Sequence, residues 1–218
     1  MTAQAPLIRP APQLRGFIGI DPGKKGAIFA LCGDSWRYLL ADKGDRRYQV
    51  QPKGAPSPEA ISDALDYITL WLRSKGGKVA DVWLERQWGR PTDVPTNAAT
   101  LGQEYGMWRM ALHLRGYSFE TPTPKGWRKA AGIVPPAQPP LLKIEGESKQ
   151  ARLKRARPRS RRGREAVKAA TIAHVQEQLP GLRLILPRCS KAHDGLADAA
   201  GMALGARLVR GPVFGGVA

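Results

Sequence analysis

The spacing of hydrophobic residues changes several times along the chain, and each change marks an element. The apolar run LRGFIGI, Leu14 to Ile20, stops at Asp21-Pro22-Gly23 and predicts a strand entering a turn. GAIFALC, Gly26 to Cys32, predicts a second strand, and Trp36–Ala41 a third after Gly33-Asp34, giving an antiparallel meander. Ser57-Pro58-Glu59 then supplies a cap, a first-turn proline and an early acid, and so opens a helix. Ile61, Leu65, Ile68 and Leu72 give that helix its apolar face, and Gly76-Gly77 ends it. Val79–Glu85, VADVWLE, predicts a buried strand that finishes on an acid. From Asn97 to Gly116 helical spacing returns through Leu101, Tyr105, Trp108 and Leu112, with Gly116 as C-cap. Tyr117–Thr121 is expected to be a strand, and Thr123-Pro124 to start a short helix holding Trp127. Residues 133–162 are Pro-rich, then Arg-rich, without a stable period, and predict a long flexible insertion. Gly163–Leu179 predicts a helix, Leu182–Leu186 a short strand, and Asp194–Leu208 a final helix.

A meander followed by alternating helices and strands predicts an α/β fold, a mixed sheet with helices on both faces. Ligands gather at the carboxyl ends of strands in such sheets. One domain over residues 13–210 is expected, with the insertion at about 134–162, a disordered Pro/Ala-rich arm at 1–12 and a Gly-rich tail at 211–218.

Charge narrows the partner. The 218 residues include 35 Lys+Arg against 18 Asp+Glu, a formal net charge of +17. Lys149, Arg152, Lys154, Arg155, Arg157, Arg159, Arg161, Arg162 and Arg164 fall in one stretch that contains no acid. A solvated, self-repelling linker would account for such a run, but Arg dominates it and Arg pairs phosphates bidentately. The balance points to a polyanion. No apolar run approaches the ~18 residues of a membrane span, and the first residues lack an apolar signal core. Cys32 and Cys189 are too few for a disulfide scaffold. The expected setting is a reducing one, cytoplasmic or organellar, and not the secretory route.

The acids carry the chemistry. Asp21 and Glu85 each close an apolar run and emerge on one edge if their strands are parallel neighbours. Asp194 and Asp198, four apart at the start of the last helix, share a face. Taken singly, Asp21 suits a turn and Asp194 suits a helix N-terminus, whereas Glu85 needs a partner or a cation. Together they form a self-repelling set of hard oxygen donors, which selects Mg²⁺ or Mn²⁺. A basic chain with such a cluster has what metal-dependent phosphodiester cleavage requires.

Four segments then match a known pattern in order. IGIDPGKKGAIFAL, LERQWGRPTDVPTNAATLGQEYGMW, GYSFETPTPKGWRKAAGI and AHDGLADAAGMALGARL resemble the motifs of RuvC-type Holliday junction resolvases, within the ribonuclease-H-like superfamily. The last is nearest to the phage and plant-chloroplast version. The resemblance implies a ribonuclease-H-like fold and a homodimer that nicks four-way DNA junctions in pairs, in recombination and repair. It implies two Mg²⁺ per site, with Mn²⁺ able to substitute, held by Asp21, Glu85, Asp194 and Asp198. Lys24, Lys25, Arg86, Lys125, Arg128 and Lys129 would hold phosphates near the site, and Arg155 and Arg157 of the insertion would grip a junction arm or reach across to the partner strand. Trp88 stands where bacterial members place an aromatic that pushes against bases at the crossover.

The chain also departs from the pattern. Gly195, not an acid or His, lies three residues before Asp198, and Asp194 lies four before, as in the phage-like branch. Arg128 and Lys129 stand where bacterial enzymes have a lysine, and the insertion has no counterpart. His193 is a candidate for a supporting role beside the metals or for a helix cap. Trp127 is expected to pack and pin the basic stretch. Trp71, Trp83 and Trp108 fit core positions, and His113 and His174 lack partners at zinc spacing. Two alternatives remain open: a nuclease of flaps, forks and other branches, and a nucleic-acid-binding protein without catalysis.

Overall fold

A computed structural model of the chain describes residues 13–23, 26–41, 57–87, 95–137, 144–187 and 189–211. The strands are β1 (Leu14–Asp21), β2 (Ala27–Cys32), β3 (Ser35–Leu40), β4 (Gly77–Leu84) and β5 (Phe119–Glu120). The helices are α1 (Pro58–Ser74), α2 (Pro95–Leu114), α3 (Pro124–Ala130), α4 (Lys149–Gln178) and α5 (Asp194–Arg210). The sheet order is β3-β2-β1-β4-β5. β1, β2 and β3 form the antiparallel meander, while β4 runs parallel to β1 and β5 parallel to β4. This is a mixed α/β sheet that carries the expected antiparallel meander.

Both faces of the central strands are covered, so their residues are apolar without alternation. Ile18 and Ile20 point to the α1 and α2 side, where Ile61, Leu65, Ile68, Leu72 and Leu112 complete a core. Phe29 and Leu31 point the other way, onto Leu196, Ala199, Ala203 and Leu204 of α5 and Val175 of α4. Each fully buried aliphatic side chain here contributes roughly 1.5–3 kcal/mol. α5 lies so close to β1 that a Cβ on Gly19 would stand 2.0 Å from the Ala199 carbonyl oxygen. Its far end is tied to the sheet by Arg210, whose Nε donates to Asp81 Oδ2 at 3.0 Å.

Three expectations need correction. Tyr117–Thr121 shortens to the two residues of β5. Leu182–Leu186 is not a strand; its pairing is one isolated antiparallel bridge, Ile185 to Ala192. Pro180-Gly181 and Pro187 flank the segment too closely for a ladder to grow. The third concerns the insertion. Its part from Lys149 onward is helical, so α4 starts fourteen residues (163 − 149) before the expected Gly163. Ser148 caps it, accepting from the Ala151 N–H at 3.2 Å, and the helix continues through Pro158. No apolar stripe announced it because, among the described residues, this part of the helix covers no core, while Arg, Lys, Ala and Leu are good helix formers. The expected arm at 1–12, most of the tail (212–218) and residues 138–143 lie outside the described residues. Among the described residues, no helix is long and apolar enough to cross a membrane.

Candidate active site

Parallel pairing of β1 with β4 sets Ile20 opposite Leu84, and the Glu85 N–H donates to the Ile20 carbonyl at 2.9 Å. Asp21 and Glu85 therefore leave the sheet side by side at its carboxyl edge. The chain then turns sharply after Asp21. Its Oδ1 accepts from the Gly23 N–H at 3.0 Å, and a Cβ on Gly26 would stand 1.9 Å from the Asp21 carbonyl oxygen. The third acid comes from α5. From Gly195 to Ala206 every residue of that helix except Asp198 is buried and uncharged, so burial of its neighbours fixes Asp198 toward the strand ends. One carboxylate oxygen from each of Asp21, Glu85 and Asp198 lies within 4.8 Å of the others.

These half-buried carboxylates repel each other. Burial first, then the Glu85 charge, pushes Asp21 up to about 7, although the Gly23 N–H pulls the other way. Asp198 is likewise pushed up to about 7 by burial and by Glu85, against the opposing pull of Arg128. Glu85 is raised by burial and held back by Trp127 and Arg128. Such a set binds protons or a cation, and three hard anionic oxygens at this spacing suit Mg²⁺ or Mn²⁺.

α3 braces the cluster. The Trp127 indole N–H donates to Glu85 Oε1 at 3.0 Å while its ring is wholly buried. The Arg128 guanidinium lies 4.5 Å from the centre of that ring, and its Nη2 is 3.6 Å from Asp198 Oδ1. Arg128 Nε is buried without a hydrogen-bond partner. The guanidinium thus keeps donor capacity beside the acids, which suits an anionic oxygen held there. Lys125 and Lys129 of the same helix are exposed around it.

The remaining candidates divide. Asp194 is outside the triad, bonded to Lys168 of α4, yet near enough for its charge to raise Asp21 and Asp198. His193 caps α5, its Nδ1 accepting from the Leu196 N–H at 3.0 Å. Arg86 is drawn to the end of β5, donating from Nε to the Thr121 carbonyl at 3.1 Å. Lys24, Lys25 and Trp88 lie outside the described residues. Arg155 and Arg157 are on α4, with side chains outside that description. Two contacts escaped sequence reasoning. Trp127 was expected to pack but also holds Glu85, and Lys168 had no signal because its reach to Asp194 depends on how α4 and α5 cross.

Comparison with known proteins finds similar solved structures. No family model and no curated protein matches the chain. One similar structure is Thermus thermophilus RuvC in complex with a Holliday junction substrate, at 14% identity and a TM-score of 0.46 over 89% of this chain and 94% of that one. Another, the Thermus thermophilus RuvC structure, gives 14% identity and a TM-score of 0.42 over 89% and 95%.

Proposed function

We propose that this chain is a divalent-metal-dependent endodeoxyribonuclease of the RuvC type that resolves four-way DNA junctions as a homodimer. The observation that carries the reading is the convergence of Asp21, Glu85 and Asp198 at the sheet edge of a chain with a net charge of +17. Those three would hold Mg²⁺, with Asp194 joining from its Lys168 contact as the fourth ligand. Bound there, the ions would supply activation of water for attack and neutralisation of charge on the leaving oxygen.

The protein's own groups do the positioning. Trp127 holds Glu85 Oε1 and so restrains that carboxylate beside the cluster. Arg128, set beside Asp198, would neutralise charge on a non-bridging phosphate oxygen drawn to the cluster; being permanently charged, it does so without transferring a proton. Lys125 and Lys129 add positive charge on the approach, and Trp88 would stack on a base at the crossover.

The test is cleavage of a labelled four-way junction, compared with linear duplex and a flap, in Mg²⁺ or EDTA. The expected result is paired nicks in the junction that need Mg²⁺ and vanish in Asp21→Asn. Equal cutting of flaps would broaden the substrate to branched DNA in general. Tight binding without cutting in any metal would reduce the protein to a binder and overturn the catalytic assignment.

A further inference from the structure

α4 passes the acid cluster and continues beyond it. Its C-terminal part is anchored, with Thr171 and Val175 fully buried. Lys168 meets Asp194. Among the described residues, none of α4 before Ala170 belongs to a hydrophobic cluster. This leading part is cationic around its whole circumference, and like charges three and four apart weaken a helix. Pro158 weakens it further, having no N–H for the Lys154 carbonyl. A helix kept under those costs calls for an anionic partner along its length.

Its spacing is specific. Lys154, Arg161 and Lys168 recur every seven residues, close to two full turns, so they line one side about 10.5 Å apart. Arg164 falls on the same side, and Lys154, Arg161 and Arg164 border one open concave surface. Arg161 also pairs with Glu165 at 2.9 Å, both well exposed, a contact weak enough to yield to a phosphate. Duplex DNA rises about 3.4 Å per base pair, so each interval of the row spans about three base pairs.

We propose that the row Lys154–Arg161–Lys168 is a track for a duplex backbone, starting beside Asp194 and contacting phosphates about three and six base pairs out along one arm. The proposal rests on the nuclease reading and adds to it where the arm lies and how much of it is gripped. Lys168 marks the site end of the track; Arg161 and Lys154 take the phosphates.

The experiment compares two double variants that lose equal charge, read by binding in EDTA so that cutting plays no part. Lys154→Gln with Arg161→Gln removes the track. Arg152→Gln with Arg159→Gln removes two charges from the opposite side of the same helix. The probes are four-way junctions with hairpin-closed arms shortened from about twelve to about four base pairs. The track variant should bind the long-armed junction about tenfold more weakly, with a salt slope about two lower; on arms below about six base pairs, which keep only the phosphate facing Arg161, the loss should fall to about threefold with a slope about one lower. The opposite-side variant should lose less than about threefold, independently of arm length. Equal losses from the two variants on the long-armed junction, or a track-variant loss that does not shrink on short arms, would overturn the track. If that happens while wild type still nicks junctions with Mg²⁺, the nuclease reading stands. A wild type that neither binds nor cuts branched DNA ends both.

Discussion

A tryptophan wholly enclosed by other side chains still has one N–H to satisfy, and Trp127 gives it to Glu85. A hydrogen bond to a charged acceptor is worth about 1.5–3 kcal/mol. Trp127→Phe keeps an aromatic ring in the cavity and deletes only that donor and part of the ring. Glu85 then loses one of the two influences holding its carboxyl down, so it binds a proton more readily and a cation less readily. The expected outcome is about a tenfold weaker Mn²⁺ affinity with a binding midpoint moved to higher pH, measured by titration with paramagnetic resonance detection. A purely structural tryptophan would lower melting temperature and leave that midpoint in place. At this scale the sequence exposes the acids well, because Asp21 and Glu85 each interrupt an apolar run. Trp127 hid its second task because a buried indole and a hydrogen-bonded one look alike in a sequence.

At the scale of elements, the site depends on how closely α3 docks on α5. Gly201 faces the Trp127 ring, where a Cβ would stand 2.8 Å from Cζ3, and Gly205 faces Trp83 at 2.9 Å. The obstruction at Gly201 is a fully buried ring whose N–H is tied to Glu85. Gly201→Ala would gain up to about 1 kcal/mol of helix propensity, yet overpacking should outweigh it and leave a net loss of about 1–3 kcal/mol. Because the ring it displaces holds Glu85, cation affinity should fall with stability. Gly102→Ala on α2 is the contrasting case, since a Cβ there meets nothing within 4 Å. It should leave affinity unchanged and raise stability by up to about 1 kcal/mol, read from melting temperature and urea midpoint. Elements that cover a core were legible from their periodicity, as α1 was from Ile61, Leu65, Ile68 and Leu72. The leading part of α4 was not, since a helix surrounded by charge carries no apolar phase. β5 shrank because only Phe119 and Glu120, at the edge of the sheet, pair with β4.

For the molecule as a whole, the acid cluster stores repulsion that a divalent cation relieves, and this fixes the sign of its pH dependence. Asp21 and Asp198 are both pushed up to about 7, well above their unfolded carboxyl values. Between about pH 4 and pH 7 the folded chain therefore holds protons that the unfolded chain has released. The contribution of these groups to stability is present at low pH, declines as pH rises through that window, and levels off above about 7. Cation binding runs the opposite way, because the ligands must be deprotonated, and it stabilises the folded state by mass action. The melting temperature gained on adding Mg²⁺ should therefore be small at pH 5 and large at pH 8, with protons released on binding at neutral pH. Asp21→Asn separates the two effects. Removing one charge from the cluster should make the metal-free protein more stable than wild type at pH 8, leave it about equal at pH 5, and abolish the Mg²⁺ increment at both. An Asp21→Asn protein less stable than wild type at pH 8 without metal would mean that the Asp21–Gly23 turn contact outweighs the repulsion, and that the cluster is not held against its own charge.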